Sequence, residues 1–230
     1  MLNAAEWCAQ QLGYRFRDPA LLEAALTHRS ASRLNYERLE FLVDSVLNFV
    51  VALLAFQRYP QAPEGDLSRY RAALVSSQSL AAVAGPLGLG EQLRLGSGEL
   101  KTGGFRRDSI LADSLEALFG AIYLDAGLQP AASVIESLFA EKLGQLPTAE
   151  ALKDPKTRLQ EELQSRGLEL PRYALDEVGG EPHEQWFVAS CEVPELGLRS
   201  QGNGSSRRRA EQEAAQRVLD DLARAPREKT

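Results

Sequence analysis

Five carboxylates in this chain fall at spacings that could hold a metal ion. Glu37, Glu40 and Asp44 stand at i, i+3 and i+7 in the stretch ERLEFLVDSVL. On a helix these positions share one narrow arc, with Leu39, Leu42 and Val46 forming the opposite apolar stripe. A second acid pair, Asp113 and Glu116, repeats the i, i+3 spacing in SILADSLEALFGAIYLDAG. Gly120 lies one turn further along that face and Ser109 one turn before it. Small residues around an acid pair let another helix approach closely. If the two faces pack together, Glu40, Asp44, Asp113 and Glu116 converge. Four carboxylates in one pocket do not all stay ionised without a cation. Glu64, just ahead of a third helical stretch, is a candidate fifth acid.

All-oxygen ligands favour Mg²⁺ or Mn²⁺. Zinc would ask for His or Cys, and the chain has only His28 and His183, with Cys8 and Cys191 far apart and in no CxxC. The competing reading is structural: acid pairs on solvated helix faces, or ion pairs with Arg38 and Arg69. Both pairs sit on otherwise apolar helices, where an unpaired carboxylate is costly, and this favours the metal. Spacing alone does not separate the two.

The elements that must position these acids are helical. Asp18 suits an N-cap and Pro19 the first helical position of RDPALLEAALTH. A long helix is expected over 36–57, closed by RYPQAPEGD, and a third over 64–84, ended by Gly85-Pro86. A glycine-rich stretch over 87–108 should form a loop. A strong helix follows over 109–124, and another after Pro130. No strand signal precedes residue 170, so residues 1–145 read as an all-α domain. Residues 146–153 read as a linker. Over 154–224 the pattern becomes α-β-β-β-α: a helix capped by Asp154 and Pro155, the runs RYALDEV, QWFVASCEV and LGLRSQG, and a last helix starting at Ser205 or Ser206. This is a small α+β module of antiparallel strands. Residues 225–230 form a C-terminal tail.

Bulk composition adds limits. The chain is 44% hydrophobic and 25% charged, as in ordinary globular proteins. No apolar run approaches the roughly 18 residues of a membrane span, the N-terminal stretch lacks a signal layout, and the cysteines form no disulfide framework. A cytoplasmic protein with no membrane partner and no organic cofactor is the expectation. Net charge is −6. Residues 1–153 carry 14 Lys+Arg against 17 Asp+Glu and residues 154–230 carry 12 against 15, so each part is −3. Any contact with a polyanion must rest on local clusters.

The stretch ERLEFLVDSVL resembles the signature of the ribonuclease III family, usually written with glycine where this chain has Val43. THRS before it, EGDLSRYRAALVS after it, and LGSGELKTGGFRRDSILADSLEALFGAIYLD agree with that family. The C-terminal module resembles the double-stranded-RNA-binding domain that follows it in the bacterial members. The resemblance runs from about Leu12 to Leu222. It implies that Glu40, Asp113 and Glu116 are Mg²⁺ ligands and that Asp44 and Glu116 are catalytic, with Glu37 and Glu64 as supporting acids. It also implies a homodimer whose two sites cut both strands of an RNA duplex and leave 3′ overhangs. A metal-activated water would leave a 5′-phosphate and a 3′-hydroxyl. Processing of ribosomal RNA precursors and other structured transcripts, messenger and transfer RNA among them, would follow.

For the second module the resemblance implies contacts with A-form RNA across two minor grooves and the phosphates between them. Gln160, with Lys156 nearby, would face one minor groove and His183 the next. Ser206, Arg207 and Arg208 would grip the phosphates, helped by the helix N-terminus. Three arginines at a helix start oppose its dipole, which makes a phosphate partner more plausible than a solvated basic cap. Glu211 stands where the family often has a further lysine, which points to weaker or more salt-sensitive RNA binding.

Two other functions compete: a non-cleaving regulator or chaperone that binds double-stranded RNA with the same fold, and a metal-dependent hydrolase of small phosphate esters. Intact acids at 37, 40, 44, 64, 113 and 116 argue against the first, although Val43 keeps it open. The second leaves the C-terminal module unused.

Overall fold

The structure is a computed structural model, and it describes residues 3–181 and 184–224. The chain divides into two compact units, 1–149 and 150–230. The boundary falls within the stretch read as a linker.

Unit 1 is built from eight α-helices among the described residues: α1 (Ala4–Gln11), α2 (Pro19–Ala25), α3 (Glu37–Arg58), α4 (Glu64–Leu74), α5 (Ser77–Ala84), α6 (Ser97–Lys101), α7 (Asp108–Ala126) and α8 (Leu128–Gly144). Helix α7 is the central post, packed against α2, α3, α5 and α8. Its apolar residues are buried nearly all round, among them Leu115, Leu118, Phe119 and Ile122. The far end of α7 is pinned by Asp125. Its carboxylate accepts the Tyr14 hydroxyl at 2.5 Å and the Arg17 and Asp18 backbone N–H groups at 2.9 Å.

Four sequence expectations change here. The single helix over 64–84 is two, α4 and α5, broken at Val75 and Ser76. Ser76 is extended and its hydroxyl accepts the Ser79 N–H at 3.2 Å, so the serine-rich stretch caps a new helix instead of continuing the old one. The glycine-rich stretch carries the short helix α6. Helix α8 starts at Leu128, ahead of Pro130, because the first-turn N–H groups have no intrahelical partner and a proline there loses nothing. Finally, the apolar stripe of α3 is centred on Leu39, Val43 and Leu47, all buried, while Leu42 and Val46 are half-buried at its edge.

The other side of α3 exposes Phe41, Phe49, Leu53 and Phe56. Counting both sides, this 22-residue helix is long and apolar enough by composition to cross a membrane, which the sequence expectation had denied to any segment. In this fold one side of it is core, and Asp44 and Asn48 interrupt its middle.

Unit 2 is α9 (Pro155–Ser165), β1 (Arg172–Gly179), β2 (Trp186–Val193), β3 (Leu198–Gly204) and α10 (Arg207–Arg224). The strands form an antiparallel sheet in the order β1-β2-β3. Both helices cover one face, over a core of Leu159, Leu163, Cys191, Val193, Ala214 and Val218. Gly202 and Gly204 let α10 lie directly on β3: a Cβ at Gly202 would come within 2.4 Å of the Ala210 carbonyl oxygen.

Candidate functional site

Helix α3 brings its acids in at its N-terminus. Asn35 accepts the Glu37 N–H at 3.0 Å, and Glu37 and Glu40 occupy the first turn, where the helix dipole favours negative charge. Helix α7 presents Asp113 and Glu116 from its second and third turns. The two helices touch at the acids' end because Gly120 has no side chain. A Cβ there would stand 2.5 Å from the Leu39 carbonyl oxygen and 3.3 Å from the Val43 Cβ.

The outcome is a cluster of Glu40, Asp113 and Glu116, all half-buried, with one carboxylate oxygen from each lying within 4.8 Å of the others. Among the described residues none of the three makes an ion pair, and neither Arg38 nor Arg69 reaches them; Arg69 pairs instead with Asp66. Burial and, for Glu40 and Glu116, repulsion from the neighbouring acids outweigh the attraction of Arg29 and His28. The Glu116 carboxyl is pushed up to about 7, first by burial and then by Glu40, Asp113 and Asp44. Glu40 is raised by burial, Asp113 and Glu37. Asp113 is raised by burial, partly offset by His28 and Arg29. Half-buried oxygen donors with uncompensated charge fit a hard divalent cation, and these three residues could hold one.

Three of the four acids expected to converge do so. Asp44 is exposed and outside the three-acid group, though it lines the same open depression as Glu40 and Glu116 and raises the Glu116 carboxyl. Asn48, one turn on, donates to the Asp44 side chain and to its carbonyl at 2.9 Å. Glu37 is exposed and pairs with Arg29 at 3.4 Å. Glu64 does not join the other acids as a fifth: it is the first residue of α4 and accepts the Ser68 hydroxyl at 2.8 Å. It lines an apolar hollow with Phe49, Leu53 and Phe56. Those residues lie about 14–24 Å along α3 from Glu40. Within one chain Glu64 is not part of the cluster.

Two neighbours of the acids went unnoticed in the sequence. His28 is buried, its Nδ1 lies 2.7 Å from the Ser30 hydroxyl, and its ring meets Tyr36 edge-on at 5.6 Å. Tyr36 is also buried, and its hydroxyl is raised by burial and by Asp113 and Glu40. The available signal was position: the THRS stretch and the residue just before α3 were already legible as flanks of the acid helix.

In unit 2, Asp154 caps α9 by accepting the Lys156 N–H at 2.9 Å, and its other oxygen meets Arg208 at 3.4 Å. The Ser206 hydroxyl accepts the Arg209 N–H at 3.3 Å at the start of α10. Gln160 is exposed on α9. Lys156 and Arg207 do not both stand free: each is bonded to Glu211, at 2.5 and 2.8 Å. His183 lies outside the described residues.

Two family models match the chain: Ribonuclease-III-like over residues 18–143 and double-stranded RNA binding motif over residues 155–222. Ribonuclease 3 of Pseudomonas fluorescens (strain SBW25) is 56% identical over 210 residues, covering 91% of this chain and 92% of that one. Ribonuclease 3 of Methylococcus capsulatus is 54% identical over 223 residues, covering 97% of each. The crystal structure of the nuclease domain of ribonuclease III from Campylobacter jejuni is 41% identical with a TM-score of 0.60, over 64% of this chain and all of that one. A second structure of the same domain, reported for flexibility in its dimer-forming region, is 44% identical with a TM-score of 0.59, over 61% of this chain and 99% of that one.

Proposed function

The chain belongs to the ribonuclease III family and is an endoribonuclease of double-stranded RNA, and from that premise we propose how its residues divide the work. Glu40, Asp113 and Glu116 hold Mg²⁺, which Mn²⁺ can replace. The observation that supports this reading is the trio of half-buried carboxylates with raised pKa and, among the described residues, no ion pair. A bound cation there lowers the pKa of a water and stabilises charge developing on a phosphodiester.

The side chains bind and orient. Glu116 would bind the cation as the carboxylate and so serve both binding and catalysis. Asp44 stays at the exposed rim, turned by Asn48, with an oxygen left to accept a hydrogen bond from the attacking water. Glu37 and Glu64 act as outer acids, not ligands. Hydrolysis leaves a 5′-phosphate and a 3′-hydroxyl.

The protein works as a homodimer, each copy cutting one strand, so that the two cuts leave 3′ overhangs. The exposed Phe41, Phe49, Leu53 and Phe56 of α3 support this, since an apolar face of that size on one helix calls for a partner. Lys156, Gln160, His183, Ser206, Arg207 and Arg208 hold the duplex through its backbone and minor grooves. The substrates are precursors of ribosomal RNA and other structured transcripts in the cytoplasm.

The decisive experiment incubates the purified full chain with a long RNA duplex and with single-stranded RNA of the same sequence, in Mg²⁺ and in EDTA. Staggered cutting of the duplex alone, only with the metal, is the expected result. Cutting in EDTA would remove the metal from the mechanism.

A further inference from the structure

Glu211 lies on the first turns of α10, inside the basic stretch SSRRRAE, and is buried at 7% exposure. Its two oxygens are taken by two cations from different helices. Oε1 accepts Arg207 Nε at 2.8 Å, and Oε2 accepts Lys156 Nζ of α9 at 2.5 Å. The lysine ammonium also stands 4.2 Å from the centre of the Tyr173 ring. Burial alone would raise this carboxyl, but the two cations hold it below its ordinary range. A carboxylate so placed is not a stray negative charge facing the RNA; it is the fixed point of a three-residue junction.

The chemistry of the bond to Arg207 matters. The guanidinium commits Nε to Glu211, so Nη1 and Nη2 remain as a fork suited to a phosphate. The Arg207 side chain is 61% exposed, so that fork reaches solvent while the inner edge is held. Lys156, at 33% exposure, pairs with Glu211 from the other side and keeps part of its side chain at the surface. We propose that Glu211 is a positioning residue of the duplex-binding surface, fixing the Arg207 guanidinium so that it meets a phosphate already ordered. This rests on the reading of Arg207 as a phosphate contact.

The opposite view is that Glu211 merely subtracts positive charge from the surface, and the two views differ in sign. Binding of a labelled RNA duplex to the full chain in EDTA, followed by anisotropy over a range of salt, separates them. If Glu211 only subtracts charge, Glu211→Gln binds more tightly. If it positions Arg207, Glu211→Gln binds about 3- to 10-fold more weakly near physiological salt, the loss that comes from ordering one long side chain anew. In an Arg207→Ala background Glu211→Gln should then cost nothing further, which a general folding defect would not reproduce. Binding by Glu211→Gln equal to or tighter than the parent overturns the proposal. Unchanged binding by Arg207→Ala alone overturns the phosphate-contact reading beneath it, a result read independently of Glu211. Should circular dichroism show Glu211→Gln unfolded, Glu211→Asp keeps the charge but shortens the reach. The same loss is expected of it, and parental affinity would be fatal to the idea.

Discussion

Gly120 is the residue against which Val43 packs: a Cβ on Gly120 would lie 3.3 Å from the Val43 Cβ and 2.5 Å from the Leu39 carbonyl oxygen. The crossing of α3 and α7 is thus closed by one glycine. Gly120→Ala must push the helices apart, because the obstacle is backbone and cannot swing aside. A displacement near 1 Å between helices carrying Glu40 and Glu116 should lower duplex cleavage on the order of 100-fold. Binding of the duplex in EDTA should stay within a few-fold. Cleavage at the parental rate by Gly120→Ala would contradict this account of the crossing.

Val43 is fully buried at this crossing, where the family usually has glycine. Gly120 faces Val43 across the crossing, so we expect the isopropyl group to be accommodated without displacing the helix. Val43→Gly should therefore change the cleavage rate by less than about tenfold, roughly 1.4 kcal/mol in barrier. It should destabilise the fold by about 2–4 kcal/mol, from mid-helix glycine plus an unfilled cavity. Activity that appears only after the substitution would show that valine displaces α3.

The Glu116 carboxyl, at about 7 against an ordinary 4.5, links metal-free stability to pH. The folded state binds this proton more tightly than the unfolded chain does. The resulting stability is fully present below about pH 4.5 and is lost as pH rises through about 7. In EDTA, Glu116→Gln should remove this part of the pH dependence and melt higher than the parent at pH 8. With Mg²⁺ the parent should regain stability at pH 8 and the variant should gain little, while cutting no duplex. A parent whose metal-free melting temperature climbs steadily from pH 5 to 8 relative to Glu116→Gln would refute the assignment.

Much of this was legible in the residues, and the gaps have physical causes. The acid pairs, the strands of unit 2 and the caps at Asp18 and Asp154 follow from local rules of spacing and hydrogen bonding. A helical wheel shows which residues of α3 share a face but not where α7 crosses it, so it chose Leu42 and Val46 over Val43 and Leu47. The same blindness added Asp44 to the cluster and left Glu64 in reach of it. Glu211 looked like a charge against RNA binding. Its burial depends on α9 lying beside α10, which no single stretch reveals, although the i, i+4 spacing to Arg207 was a hint.

Glu64 tests the distinction between ligand and outer acid. It sits at the start of α4 beside Phe49 and Phe56, outside the group formed by Glu40, Asp113 and Glu116. Glu64→Gln should leave the Mg²⁺ concentration for half-maximal cleavage within about threefold of the parent, less than 1 kcal/mol. Glu40→Gln should raise that concentration far more. Equal shifts in the two titrations would place Glu64 in the metal site.

The last prediction concerns the two arginines that lead α10. Arg207 is held by Glu211 and Arg208 approaches Asp154 at 3.4 Å, yet both side chains are mostly exposed, at 61% and 80%. Surface pairs of this kind contribute little to stability, so removing the arginines should not unfold the module. Phosphate contacts carry no sequence information, so Arg207→Ala with Arg208→Ala should weaken binding equally for duplexes of different sequence. Each lost phosphate contact also removes close to one released counterion. The slope of log K against log salt should therefore shrink by up to about two units. Losing Arg207 alone frees Glu211 to pair fully with Lys156, so the single variant should give about half the change in slope. A double variant with weaker binding but the parental slope would assign these arginines to packing and not to phosphate.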